Sequence, residues 1–333
     1  MLSRCVVALL FLCAAVAPGR AQEQQVKIGI GFGLAFLPLY ICEDLKLVEQ
    51  QAKAAHLDVK ASFPRLMGAG QAQAAIASGA IDIAPFGVAP LLAAWDKGKG
   101  TPQQIFAVSG LTSLPLVLLS DRPDEHSIAD LAPGDRIAVP TLTSPQMQLL
   151  ELQSEKVFGR YDKLRGQAVA MTHADAVDAL GGGAQANDKV TAYFASPPYT
   201  QLALRDPAVH AILTSTEVMN GKFSFLVLGA SKAAIERGPE IPGIVAGAID
   251  EAARIIRDDP RRAAQIFLTH EPSGVLSGTA AAAVIGEIKE EFGSAVYGVQ
   301  TMADFLSRRG ELKAPPKSWK DVVAPALLHS SSS

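Results

Sequence analysis

KIGIGFGLAFLPLY, residues 27–40, and GAGQAQAAIASGAIDIAPFG, residues 68–87, together decide how this chain folds. The apolar run 26–30 reads as a strand, residues 31–37 as a Gly-containing flexible turn, and Pro38 as the opening of a helix, where a missing N–H costs little. The pattern then repeats. Gly68, Ala69 and Gly70 precede an Ala-rich helical segment, 71–78, and residues 81–86 form a second strand closed by Gly87. Successive strand–turn–helix units build a mainly parallel α/β sheet. Ligands of such sheets lie beyond the carboxyl ends of the strands, so both turns open on one mouth.

Upstream, MLSRCVVALLFLCAAVAPGRAQ combines Arg4, an apolar core at 5–17, the helix breakers Pro18 and Gly19, and the small residue Ala21. This is the tripartite pattern of a secretory signal, and its core is too short for a membrane span of about 20 residues. Residues 1–21 are therefore expected to be cleaved on export. Their removal takes away two arginines and no acid, leaving 28 Lys and Arg against 33 Asp and Glu. That acidic balance gives no reason to expect nucleic acid or an anionic membrane as partner. Of the three cysteines only Cys42 would remain, which excludes an intramolecular disulfide. The mature length suits two lobes rather than one domain.

Downstream, residues 88–97 read as a helix, 105–108 as a strand and 116–119 as a strand beside a first crossing between lobes at 112–120. A second series follows, with strands at 137–139, 168–171 and 190–194 and helices at 145–158 and 174–180. Gly181, Gly182 and Gly183 follow a helix and lack a downstream Lys-Ser or Lys-Thr pair, so they read as a loop or helix cap rather than a phosphate loop. The return crossing is expected at 214–222, between apolar runs at 211–213 and 223–228. Helices at 241–257, 261–269, 278–292 and 301–308 then complete the first lobe. The division is lobe 1 at 22–114 and 220–328, lobe 2 at 115–219, and a disordered tail at 329–333.

The order of these segments resembles the nitrate/sulfonate/taurine type of periplasmic solute-binding protein of ABC importers, with binders of thiamine-pyrimidine precursors as relatives. The resemblance is carried by 27–40 and 68–87, by SIADLAPGDRIAVPTLTSPQ (127–146), by THADAVDAL (172–180) and by SPPYTQLAL (196–204), in that sequence. It implies a type II two-lobe fold with a ligand cleft between the lobes, a periplasmic location and a monomer. It also implies a small-molecule solute, an inner-membrane permease with its ATPase as partner, and no cofactor. Where many relatives carry Trp-Glu-Pro-Tyr, this chain has Ser196, Pro197, Pro198 and Tyr199. An aromatic wall and an acid are both missing, so a solute amine loses its expected partner.

Candidate solute contacts follow from the turns that the resemblance brings to the mouth. Thr143, Ser144, Pro145 and Gln146 open a helix whose positive end and free N–H groups suit a carboxylate, sulfonate or phosphate, with ordinary capping as the alternative. Gly33, Leu34, Ala35 and Phe36, then Gly70, Gln71, Phe86, Gly87 and Val88, supply backbone donors and walls from the other lobe. His173, Ser196, Pro197 and Tyr199 complete the list. Taken by itself, His173 favours a local hydrogen-bonding side chain over solute contact, and Arg65, just before the Gly68–Gly70 turn, could reach an anion but reads first as a surface cation. The six histidines show no metal-ligand spacing. The favoured function is binding without chemistry, of an organic anion such as a sulfonate or an aromatic carboxylate. The alternatives are a desulfinase-like or pyrimidine-forming enzyme on the same scaffold, or a periplasmic sensor subunit. Cys42, inside the first helix, reads as a small buried hydrophobe rather than a nucleophile.

Overall fold

The computed structural model describes residues 23–66, 69–180, 189–272 and 276–328. The expected signal segment, the Gly-rich run at 181–183, Gly68 and the tail at 329–333 lie outside them. In chain order the first unit comprises β1 (Gln24–Lys27), α1 (Leu37–Leu45), α2 (Leu47–Ala54), β2 (Val59–Ser62), α3 (Ala69–Ala77), β3 (Ile83–Phe86), α4 (Val88–Lys97) and β4 (Ile105–Thr112). The second comprises β5 (Val117–Ser120), β6 (Ile137–Val139), α5 (Pro145–Phe158), β7 (Ala168–Ala170), α6 (His173–Leu180), β8 (Ala192–Ala195), α7 (Tyr199–Ala203), β9 (His210–Thr214) and α8 (Ser215–Met219). The chain returns as β10 (Leu226–Ser231) and ends with α9 (Lys232–Arg237), α10 (Ile241–Asp258), α11 (Pro260–His270), α12 (Gly278–Ile288) and α13 (Val299–Arg308).

The two sheets share one strand order. In lobe 1, β2 pairs in parallel with β1, the continuation of β1 bridges Ile28 to Ile83, and β3-β10-β4 completes the row. In lobe 2 the row is β7-β6-β8-β5-β9. Each sheet contains one antiparallel strand: β10 runs against β3 and β4, and β5 runs against β8 and β9. Apolar runs do not encode direction, so an alternation of strand and helix reads as parallel throughout. The crossing imposes the reversal, because β4 leaves lobe 1 at the end where lobe 2's parallel strands finish, and β5 therefore enters against them.

Local chemistry sets the helix ends that aim at the cleft. Ser144 caps α5 with its hydroxyl accepting from Met147 N, Pro145 occupies the first turn, and Gly159 at φ 70 closes the helix. Gly87, extended at φ −72 and ψ 159, precedes α4. Lobe 1 is held by α10, whose Ile244, Val245, Ala248, Ile249, Ala252 and Ile256 recur at helical spacing and are buried against β4, α1 and α2. Burying each of the larger side chains contributes roughly 1.5 to 3 kcal/mol. Helix α13 packs on α4, and the adjoining chain reaches lobe 2 through ion pairs from Arg308 to Glu155 (2.6 Å) and from Arg309 to Glu151. Among the described residues no helix is long and apolar enough to cross a membrane.

Candidate solute cleft

The turns beyond the strand ends enclose a cleft of about 480 Å³ between the lobes. Lobe 1 contributes Gly31 and Phe32 after β1, Phe36 from the following turn, Leu66, Ala72, and the Pro85-Phe86-Gly87 end of β3 with Pro90. Lobe 2 contributes Pro140, Thr141, Thr143, Ser144, Pro145 and Gln146 after β6, and His173 at the start of α6. Phe225 and Leu226, at the return crossing, close the back. Among the described residues four phenylalanines wall the space, and none of the lining residues is Asp, Glu, Lys or Arg.

Gln146 is the most deeply set polar side chain of this lining. It is 1% exposed and stands in the first turn of α5, where it meets the cleft. Ser144 accepts from Met147 N at 3.3 Å and keeps its own proton to donate, while exposed Thr143 lies 3.4 Å from Thr141 through their hydroxyl oxygens. With α4 and α5 both beginning here, two helix N-termini raise the local potential, which favours negative charge.

On the lobe 1 side, Gly33 departs from the role of a free donor. Its N–H is taken by the carboxylate Oε1 of Glu271 at 2.6 Å, and the Tyr40 hydroxyl donates to the same oxygen at 2.6 Å. Tyr40 is fully buried, stacked on His270 at 4.5 Å and capped by the Arg65 guanidinium at 5.0 Å. Arg65 also pairs with Glu43 at 3.0 Å and donates to His270 Nδ1 at 2.7 Å, so it is bound into this network and does not line the cleft. Burial, followed by the neighbouring Glu271, pushes the Tyr40 phenol well above its ordinary value. Leu34 and Ala35 are buried in the lobe 1 core. Gly70 and Gln71 lie on exposed α3, and Val88 is a fully buried first residue of α4.

In lobe 2, three elements converge on His173. Its Nδ1 is hydrogen-bonded to the Tyr193 hydroxyl, its Nε2 lies 3.2 Å from Ser196 Oγ, and its ring stacks on Tyr199 at 5.1 Å. Burial lowers its pKa from the ordinary 6.5 to about 4, so the ring is neutral at pH 7. Ser196 and Pro197 are buried, and the Pro197–Pro198 peptide is cis. Cys42 is fully buried, its Sγ 3.5 Å from Ala248 O, and burial drives its thiol pKa upward. Among the described residues no group of three or more His, Cys, Asp or Glu is placed to hold a metal.

The structure thus gathers Phe36, Phe86, Gly87, Thr143, Ser144, Pro145, Gln146 and His173 of the expected contacts around one space. It sets Gly33, Leu34, Ala35, Gly70, Gln71, Val88, Ser196, Pro197 and Tyr199 outside the immediate lining. Phe225 and Leu226 were not foreseen. Their only signal is that they begin an apolar run at the return crossing, where the chain must pass the hinge side of the cleft.

No protein-family model and no curated protein matches the sequence. Among solved structures, the chain is similar to the periplasmic aliphatic sulphonate binding protein SsuA from Escherichia coli, with a TM-score of 0.68 at 19% identity over 92% of this chain and 99% of that one. It is similar also to the alkanesulfonate-binding protein SsuA from Xanthomonas axonopodis pv. citri bound to MOPS, with a TM-score of 0.64 at 18% identity over 94% and 100% of the two chains. A DszB mutant in complex with biphenyl-2-sulfinic acid matches at 0.57 and 14% identity, over 92% and 99%. At these identities the likeness establishes the fold: this chain has the two-lobe fold of periplasmic binding proteins.

Proposed function

We propose that the protein is the periplasmic solute-binding component of an ABC-type importer. It captures a small organic solute in the inter-lobe cleft and delivers it to an inner-membrane permease with its ATPase. The observation that carries this reading is Gln146, a 1% exposed amide that lines the cleft in the first turn of α5. A solute oxygen there can accept from the amide and sits at the positive end of α5. The four phenylalanines match an apolar body, so the solute class is an alkyl or aryl sulfonate or an aromatic carboxylate. The SsuA proteins of the same fold are named for sulfonates, which points the same way. Residues 1–21 serve as the export signal on this reading, and Thr143, Ser144 and His173 contribute to the solute's surroundings.

A second reading, hydrolytic chemistry, draws on the Ser196–His173 contact and on the DszB-like fold. It is less well supported. A phenol rather than a carboxylate holds His173 Nδ1, and an imidazole with a pKa of about 4 is a weak base for activating a hydroxyl. Cys42 is no substitute, since an inaccessible thiol with a raised pKa is not a nucleophile. A thermal-shift screen over sulfonates and aromatic carboxylates, followed by native mass spectrometry of the purified protein, tests the proposal. The expected result is a saturable rise in melting temperature with one organic anion bound per chain. Turnover of any panel member into a released product contradicts it.

A further inference from the structure

We propose that Tyr193 and His173 are positioning residues that turn the hydroxyl proton of Ser196 toward the cleft, so that the site selects solutes whose head group accepts hydrogen bonds. This inference rests on the solute-binding reading. Three protons are shared along the line from Tyr193 Oη through the His173 ring to Ser196 Oγ. They fit in two ways. In the first, the phenol donates to Nδ1, Nε2–H donates to Ser196 Oγ, and the surplus proton remains on Ser196. In the second, Ser196 donates to Nε2, Nδ1–H donates to the phenol oxygen, and the surplus proton remains on Tyr193.

Burial decides between them. Tyr193 has 0% exposure, stands in the middle of the lobe 2 sheet on β8, and its hydroxyl has no other hydrogen bond among the described residues. A surplus proton there has no acceptor, which is costly. Ser196 stands behind His173 rather than in the immediate lining, but it follows the carboxyl end of β8, the end of the sheet that faces the cleft, and is 5% exposed where Tyr193 is sealed. A proton left on Ser196 therefore lies on the cleft side of the relay, within reach of a solute that packs against His173. Stacking on Tyr199 holds the imidazole plane so that the line stays straight. With no formal charge among the described lining residues, a solute ammonium group meets proton donors and no carboxylate there, whereas a sulfonate, carboxylate or carbonyl oxygen meets the donors it needs.

Two measurements on the solute-free and solute-bound protein test this. Long-range proton–nitrogen correlation spectra of protein labelled in its six histidines, assigned with His173→Gln, report the tautomer directly. The expected result at pH 7 is Nε2–H for His173 in the wild type and a shift toward Nδ1–H in Tyr193→Phe. Nδ1–H in the wild type overturns the relay. Calorimetry with benzenesulfonate and benzylamine as probes reads the selection. Benzenesulfonate is expected to bind and benzylammonium not, with Ser196→Ala and Tyr193→Phe each weakening the former about tenfold, and the double variant no further than Ser196→Ala alone. Full additivity, or no effect of Ser196→Ala, overturns the relay's role in binding. That arm stands on Ser196→Ala even if Tyr193→Phe misfolds. Failure of both probes to bind, with the tautomer as expected, overturns the head-group selection and the solute reading while leaving the relay's geometry intact.

Discussion

Gly87 of lobe 1 and Pro145 of lobe 2 meet so closely that a Cβ on Gly87 would stand 3.3 Å from Pro145 Cγ. One residue precedes α4 and the other opens α5, so the contact marks where closure brings two helix N-termini together. A methyl group there asks for a shift of a few tenths of an ångström, and a branched side chain asks for more. Gly87→Ala is expected to weaken solute binding about twofold and Gly87→Val about tenfold or more, a penalty near 1.4 kcal/mol for the latter. The tight contact is with the other lobe, whereas Pro90 Cδ of the same lobe stands at an ordinary 3.5 Å, so melting of the solute-free protein should change less than affinity. Equal affinities across the series would show that the lobes do not close on this contact.

Glu271 is expected to act in stability rather than in solute contact. It satisfies the Gly33 N–H and the buried Tyr40 hydroxyl at once, across 238 residues of sequence. Replacing it with Ala leaves the Gly33 N–H without its acceptor and the Tyr40 hydroxyl with only the Gly31 carbonyl at 3.1 Å, and should cost about 1.5 to 3 kcal/mol in urea unfolding, with Glu271→Gln recovering part of the loss. An unchanged unfolding free energy would mean that water replaces the carboxylate freely.

How much of this was legible beforehand depends on where the signal lies along the chain. Helices α4 and α5 begin and end where expected because Gly87, Pro145 and Gly159 punctuate an otherwise clear helical pattern. Strand β2 leaves no mark in the sequence, since only Val59 of its four residues is buried and an exposed strand shows little apolar pattern. The antiparallel sense of β5 and β10 is a property of the crossing, not of the residues in the strands. The site divides in the same way. Thr143, Ser144 and Gln146 announce themselves as a helix entry, whereas the pairing of Gly33 with Glu271 and of His173 with Tyr193 comes from elements that only folding brings together.

The pH dependence of stability should carry His173's signature. Its pKa lies at about 4 in the folded chain against an ordinary 6.5, because burial disfavours the imidazolium. Between those values the unfolded chain binds a proton that the folded chain refuses. The contribution is therefore complete above about pH 6.5 and is lost as pH falls toward 4. Its neighbours are Tyr193, Ser196 and Tyr199, the last under the influence of Glu271. The loss is about 1 to 3 kcal/mol. Unfolding free energies at pH 7 and pH 4.5 should fall more steeply for the wild type than for His173→Gln, and parallel slopes would contradict the burial of a neutral ring.

Cys42 should be silent to thiol reagents until the protein unfolds. It has no exposure, and its pKa is raised. Reaction with a chromogenic disulfide at pH 8 is expected to track urea unfolding, while Cys42→Ser leaves solute affinity within about threefold. Fast labelling of the folded protein would place the thiol at a surface.

The central claim, that the solute is held in the inter-lobe cleft at the start of α5, is tested most directly by Gln146→Leu. Leu is of similar size to Gln and suits the phenylalanine walls, so the melting temperature of the solute-free protein should stay close to that of the wild type. The same substitution deletes the solute's partner. The dissociation constant for the organic anion found in the thermal-shift screen should therefore rise at least about tenfold. Affinity equal to the wild type, with folding intact, would place the solute elsewhere and contradict the account.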